Sequence, residues 1–124
     1  MTNSFSSLRI NPDRMLDTFN QLALIGATGD GGVNRPTFSE SHLAARKWFR
    51  EQIAASGLEF RTDGAGNHSA VLSCKNSNAP TLLFGSHLDS VPKGGRFDGA
   101  LGVMAALEVL RTVKESGINL RLNL

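Results

Sequence analysis

Residues 99–116 constrain this chain more than any other stretch. Leu101, Val103, Met104, Leu107, Leu110 and Val113 recur at helical spacing, and Glu108, Arg111, Thr112 and Glu115 mark a narrow wet face. A helix this apolar has to be buried against other structure. An apolar run, Thr81-Leu82-Leu83-Phe84, precedes it and reads as a buried strand over residues 81–86. After it, Ile118, Leu120, Leu122 and Leu124 alternate with Asn119, Arg121 and Asn123, the period of a strand. Two strands joined by a buried helix make a right-handed crossover unit. The chain can therefore be expected to form an α/β sandwich around a mixed sheet.

The upstream half supplies the remaining elements. Asn11 is a good N-cap and Pro12 suits the first helical position, so a helix is predicted from Pro12 to about Ile25, stopped by Gly26. A second helix starts near Thr37 or Ser39, with Thr37 and Glu40 spaced as a capping box. Its inward stripe is Ala45, Trp48, Phe49, Gln52 and Ile53, and Gly57 ends it. His42, near its start, reads as solvated or capping. Residues 58–62 and 67–74 read as a hairpin around Asp63-Gly64-Ala65-Gly66, with His68 on its surface. The glycines of residues 29–34 do not make a phosphate loop, because no strand precedes them and no Gly-Lys-Ser/Thr follows.

Composition narrows the function classes. The 124 residues make one domain at most, and 40% hydrophobic with 19% charged residues describes a soluble globular chain. The 13 basic and 11 acidic residues are scattered, which gives no support to nucleic-acid or membrane binding. A single cysteine, Cys74, permits no internal disulfide and suits a cytoplasmic location. As a residue type in a strand pattern it reads as packing and not as a nucleophile.

The chemistry gathers between residues 84 and 103, in FGSHLDSVPKGGRFDGALGV. A strand end, a turn-rich loop and a helix start bring together His87, Asp89 and Asp98. Imidazole and carboxylate are the ligands that Zn²⁺-like or Mn²⁺-like ions take. On an extended strand His87 and Asp89 share a face, so Asp89 can accept the second ring N–H of His87 and fix its tautomer. Asp98 at a helix start has its ionised form favoured by the dipole. Taken singly, each has an ordinary reading as well: Asp98 as an N-cap, Asp89 as a turn former.

Taken together, GSHLDSVPKGGRFDGALGVMAALEVLR resembles the first metal-binding segment of the di-metal hydrolases of the aminoacylase and carboxypeptidase type. The GGRFDGALGV form is similar to their hydantoinase/carbamoylase branch, which comprises N-carbamoyl-L-amino-acid hydrolases, ureidopropionases and allantoate amidohydrolases. The likeness extends upstream through LALIGAT, FSESHLAARKWFREQIAASGLEF and DGAGN, from about Leu22 onward.

The resemblance implies a three-layer α/β sandwich with a mixed sheet, and two divalent metal ions (Zn, Mn or Co) in the intact protein. It makes His87 a ligand of one metal, Asp98 the bridge between two, and Asp89 the catalytic-site residue that orients His87. The substrate implied is a small carbamoyl or ureido acid, cleaved at a C–N bond by a homodimer. In that family the strand after the apolar helix runs into a Glu-Glu segment carrying the general base and a further ligand. Residues 1–124 then read as a partial catalytic domain that stops before Glu-Glu and is inactive alone. A related di-metal exopeptidase or aminoacylase, and a non-enzymatic remnant or interaction domain, are the alternative readings. The family also implies a cis peptide bond between Asp98 and Gly99, despite a cost of about 2.5–4 kcal/mol for a non-proline cis bond.

Overall fold

The structure is a computed structural model that describes residues 5–124. After a 3₁₀ turn at Phe5–Ser7, helix α1 spans Pro12–Leu24. The Asn11 side chain accepts from the Arg14 backbone N–H at 3.0 Å, as its residue type requires of an N-cap. Helix α2 spans Glu40–Ala55. Its cap is Ser39, whose Oγ accepts from the His42 N–H. The Thr37–Glu40 capping box does not form, because the Thr37 hydroxyl is committed elsewhere, as described below. Strands β1 (Glu59–Thr62) and β2 (His68–Val71) pair antiparallel, Glu59 opposite Val71 and Thr62 opposite His68. Asp63 builds the turn: one carboxylate oxygen accepts from the Ala65 and Asn67 N–H groups and the other from the Asn67 amide. Helix α3 spans Ala100–Ser116 and is closed by Gly117 in the left-handed conformation.

The core lies where α1 packs on α3 and α2 covers the hairpin. Phe19, Leu22, Ala45, Phe49, Ile53, Leu58, Val103, Met104, Leu107 and Leu110 form one buried cluster, with Trp48 packed at its edge. Ala45, Phe49 and Ile53 of α2 and Val103, Met104, Leu107 and Leu110 of α3 are residues that the periodicity selects, whereas Leu101, assigned to the same inner face, is 44% exposed.

The wet face assigned to the third helix requires correction. Glu108 is only 1% exposed, and Arg111 is buried with it. Glu108 accepts from the Asn11 N–H and from Arg14 Nε and Nη2, at 2.8–3.0 Å. Arg111 donates to Ser56 Oγ, Thr18 Oγ1 and Gln52 Oε1. The two charges therefore enter the interior because α1 and α2 bring partners for them, which makes burial tolerable.

The two strands expected around α3 are reduced to short pairings. Leu72 and Leu124 exchange backbone N–H···O bonds, Leu82 N–H donates to Asn123 O, and Asn123 N–H donates to Pro80 O. Thr81 and Asn123 form a parallel bridge, the direction a crossover requires. The last two residues thus lie between the continuation of β2 and residues 80–82. The apolar run is not a buried strand here: Leu82 is 54% and Leu83 82% exposed. A strand in that position needs cover on both faces and a neighbour along its length. Among the described residues its backbone pairing stops at Leu82.

Candidate metal centre

His87 sits between two carboxylates. Its Nδ1 lies 3.2 Å from Asp89 Oδ1 and 3.0 Å from the Asp89 carbonyl oxygen, and its Nε2 lies 3.5 Å from Asp98 Oδ2. Both atoms near Nδ1 can only accept, at 3.0 and 3.2 Å against 3.5 Å for the carboxylate at Nε2, so the geometry favours the hydrogen on Nδ1 and leaves Nε2 as the nitrogen facing Asp98. Two donor atoms on one tetrahedral Zn²⁺ stand about 3.4 Å apart, given metal–ligand bonds near 2.1 Å. The Nε2–Asp98 separation is close to that value and longer than the roughly 2.9 Å of an ordinary N–H···O bond. The pair is open to solvent, with side-chain exposures of 49% and 80%. In donor chemistry and spacing these residues fit a share of a divalent-cation site. Among the described residues, no group of three or more His, Cys, Asp or Glu side chains could hold an ion.

The start of α3 makes this approach possible. Gly99 adopts φ 69°, ψ −56°, and a Cβ there would meet the His87 carbonyl oxygen and imidazole ring at 2.4–2.5 Å. Only glycine combines that backbone with that proximity. One helical turn on, a Cβ at Gly102 would press on Ser86 Cβ at 3.0 Å. The Asp98–Gly99 peptide bond is trans, as are all peptide bonds among the described residues. The chain turns through the positive φ of Gly99 instead of through a cis bond.

Asp89 is held from its other side. Its Oδ2 accepts from the Thr37 hydroxyl at 2.5 Å, a length typical of a hydroxyl on a charged carboxylate. That bond is the main reason the Asp89 carboxyl sits below the usual carboxylate range, with the neighbouring His87 adding to it.

Behind Asp89 lies Arg35, 1% exposed. Its guanidinium donates to the carbonyls of Leu88, Leu22 and Ile25, while its backbone pairs both ways with Ser90. Burial weakens the hold of Arg35 on its proton, and the charge of Asp89 opposes that loss. Val33 and Gly94 exchange backbone hydrogen bonds at 2.8–2.9 Å. The connection between α1 and α2 is therefore stapled to the loop that carries the site.

The sequence reading missed Arg35 and Thr37; no local signal sets them apart from ordinary loop residues. Of the two readings of His42, the capping one holds and the solvated one does not, and the surface reading of His68 is corrected. His42 is buried, its Nδ1 accepts from the Phe38 N–H at 2.8 Å, and burial lowers its pKa, with Arg46 assisting. His68 is half-buried against Phe60, with Nε2 2.7 Å from Arg46 Nη2 and Nδ1 enclosed without a hydrogen-bond partner. Neither joins His87.

Comparison with known proteins shows what this segment is similar to. Residues 67–124, which contain His87, Asp89 and Asp98, match the family model Peptidase family M28. The chain is 36% identical over 110 residues to an N-carbamoyl-L-amino-acid amidohydrolase of Rhizobium meliloti, covering 89% of this chain and 26% of that protein. It is 38% identical over 100 residues to the allantoate amidohydrolase of Bacillus subtilis, covering 81% and 24%. A crystal structure of a hydantoinase/carbamoylase family amidase from Burkholderia ambifaria superposes with a TM-score of 0.89 at 37% identity, over 94% of this chain and 28% of that one. The chain spans about a quarter of the length of the curated relatives it matches. By sequence and by fold, this chain is similar to the N-terminal quarter of the hydantoinase/carbamoylase amidohydrolases.

Proposed function

We propose that this chain supplies the first ligands of a two-metal centre in an amidohydrolase that cleaves a carbamoyl or ureido C–N bond on a small acid. The observation that carries the reading is the pair His87 Nε2 and Asp98 Oδ2, 3.5 Å apart and open to solvent, in the segment matched by the hydrolase family. His87 would be the ligand of one ion, Asp98 the bridge to a second, and Asp89 the partner that fixes the ring. A divalent ion bound there supplies an acidified water and polarises the substrate carbonyl. Within the chain, Asp89 keeps the Nδ1 proton in place, so Nε2 stays a donor atom. Asp98, at the mouth of α3, offers a carboxylate that keeps its lone pairs for cations. In the family pattern a Glu-Glu segment carries the general base and a further ligand, and residues 1–124 contain no such pair. Residues 1–124 then form part of a catalytic domain with a three-layer sandwich, and the parallel Thr81–Asn123 bridge supports that topology. A homodimer in the cytoplasm, with Zn, Mn or Co as the metal, completes the proposal. Among the described residues no helix is long and apolar enough to cross a membrane.

A chimera tests it. With this chain in place of the matching quarter of the Rhizobium meliloti relative, N-carbamoyl-L-amino acids or allantoate should be hydrolysed, and His87→Ala or Asp98→Ala should abolish turnover and metal retention. A folded chimera that retains its metal and its activity after both substitutions would overturn the assignment. The isolated 124 residues should show no turnover and should not carry two ions through gel filtration, because two ligands plus water do not close a site. A second reading, a peptidase or aminoacylase acting on peptide or acyl amides, is favoured by the match to Peptidase family M28. Faster cleavage of dipeptides than of carbamoyl acids by the chimera would select it.

A further inference from the structure

Resting on the metal-centre reading, we propose that Thr37 is a positioning residue of the site, acting on His87 through Asp89. The hydroxyl of Thr37 has one short bond, to Asp89 Oδ2. With that oxygen occupied, Oδ1 is the one turned to His87 Nδ1, at 3.2 Å and beside the Asp89 carbonyl oxygen at 3.0 Å. Three groups therefore stand in series: a hydroxyl donor on the α1–α2 connection, a carboxylate, and the imidazole whose far nitrogen faces Asp98.

The series is built, not incidental, because both ends of the Thr37 segment are fixed. On one side Arg35 is buried and ties its own strand of chain to Leu88 and Ser90, the residues flanking Asp89. On the other side Ser39 caps α2. Between them Phe38 takes a positive φ of 62°, a conformation uncommon outside glycine. The Phe38 N–H is received by His42, which holds the turn. The hydroxyl is thus delivered to Asp89 by a segment that cannot easily slide. A metal-bound histidine depends on the partner of its other nitrogen for orientation and donor strength. Thr37 extends that dependence by one bond, from the loop that follows α1.

The test uses the 124-residue chain labelled with ¹⁵N-histidine, without metal, read by the Nδ1 and Nε2 signals of His87. These signals are identified by their loss in His87→Gln. In the wild type a single Nδ1–H tautomer is expected. Thr37→Val, which keeps the side-chain shape, should move the Nδ1 signal toward that of a free imidazole, and Thr37→Ser should restore it. In an Asp89→Ala background, Thr37→Val should move nothing, because the connection is already cut. Core and hairpin signals report whether each variant is folded.

An unmoved Nδ1 signal in folded Thr37→Val, or an equal shift in the Asp89→Ala background, would overturn the proposal. Zn²⁺ alone is then titrated into the metal-free chimera described above, labelled in the same way. Binding read at His87 should weaken by up to about tenfold in Thr37→Val, the lower bound of what partners of a ligating histidine contribute, and should weaken also in Asp98→Ala. If Zn²⁺ leaves the His87 ring signals unchanged in every form, the metal reading fails, whereas the role of Thr37 is decided by the metal-free cycle.

Discussion

Two clusters of ionisable side chains lie along α3, and they are built in opposite ways. At mid-helix, Glu108, Arg111 and Arg14 have side-chain exposures of 1%, 9% and 30%, and their polar atoms are engaged by Asn11, Thr18, Gln52, Ser56 and Glu115. At the helix start, His87 and Asp98 are half or more exposed and face each other at a distance too long for a good hydrogen bond. The inner cluster exhausts its bonding capacity within the protein. The outer one keeps lone pairs aimed at open space. Charged groups that a fold leaves unspent in a fixed geometry are the ones available for chemistry.

The comparison can be broken most forcefully from the inside. Glu108→Ala leaves Arg14 and Arg111 without their shared anion, and removal of one partner from a buried pair costs about 3–5 kcal/mol. The lower figure is expected, because Arg14 is partly solvated. Urea unfolding would measure it, and a loss below about 1 kcal/mol would mean that the network adds little.

Next in size is Gly99→Ala. Its Cβ would overlap His87, and the positive φ adds strain of order 1–3 kcal/mol. We expect a loss of about 2 kcal/mol together with displacement of the His87 ring signals.

Asp98→Ala sharpens the contrast from the other direction. An exposed carboxylate with no buried role should change stability by less than about 0.5 kcal/mol, while metal binding is lost. A large destabilisation would place Asp98 among the structural groups.

The smallest effect is expected from acid. Arg14 holds the Glu115 carboxyl below its ordinary range by hydrogen bond and charge. A carboxylate depressed in the folded state stabilises above its unfolded pKa, about 4.3, and that contribution fades as pH falls through the lower folded value. The melting temperature should therefore dip below about pH 4 in the wild type, and less in Glu115→Gln.

Much of this architecture is legible in the sequence because it is local. Asn11, Gly57 and Gly117 punctuate helices through bonds within a few residues, and the stripe of α2 follows from helical period. His87, Asp89 and Asp98 lie together, as their spacing suggests. What escapes is whatever depends on a distant partner. Glu108 and Arg111 read as surface because their charge is visible in the sequence, whereas the arrival of Arg14, Gln52 and Ser56 is not. Thr37 reads as half of a capping box because its true partner lies 52 residues away. His68 reads as surface because Arg46, 22 residues away, is not visible from its place in the hairpin. Leu82, Leu83 and Phe84 have the composition of a covered strand, but cover is a property of what packs there.

The staple between the α1–α2 connection and the site loop also has a kinetic meaning. Thr37–Asp89, Arg35–Leu88 and Arg35–Ser90 each close a loop of 52 to 55 residues. Closing a flexible loop of that length costs roughly 3.5 kcal/mol beyond a constant. Helices α1 and α2 and the hairpin form from near neighbours and need no such closure. The cation-facing geometry should therefore appear late in folding, after the helices and hairpin exist. It should also be among the first parts to open, as a unit, when native molecules fluctuate. Exchange of the Ser90 and Gly94 amides with solvent deuterium would then share one rate, faster than that of Met104 or Leu107 in the core.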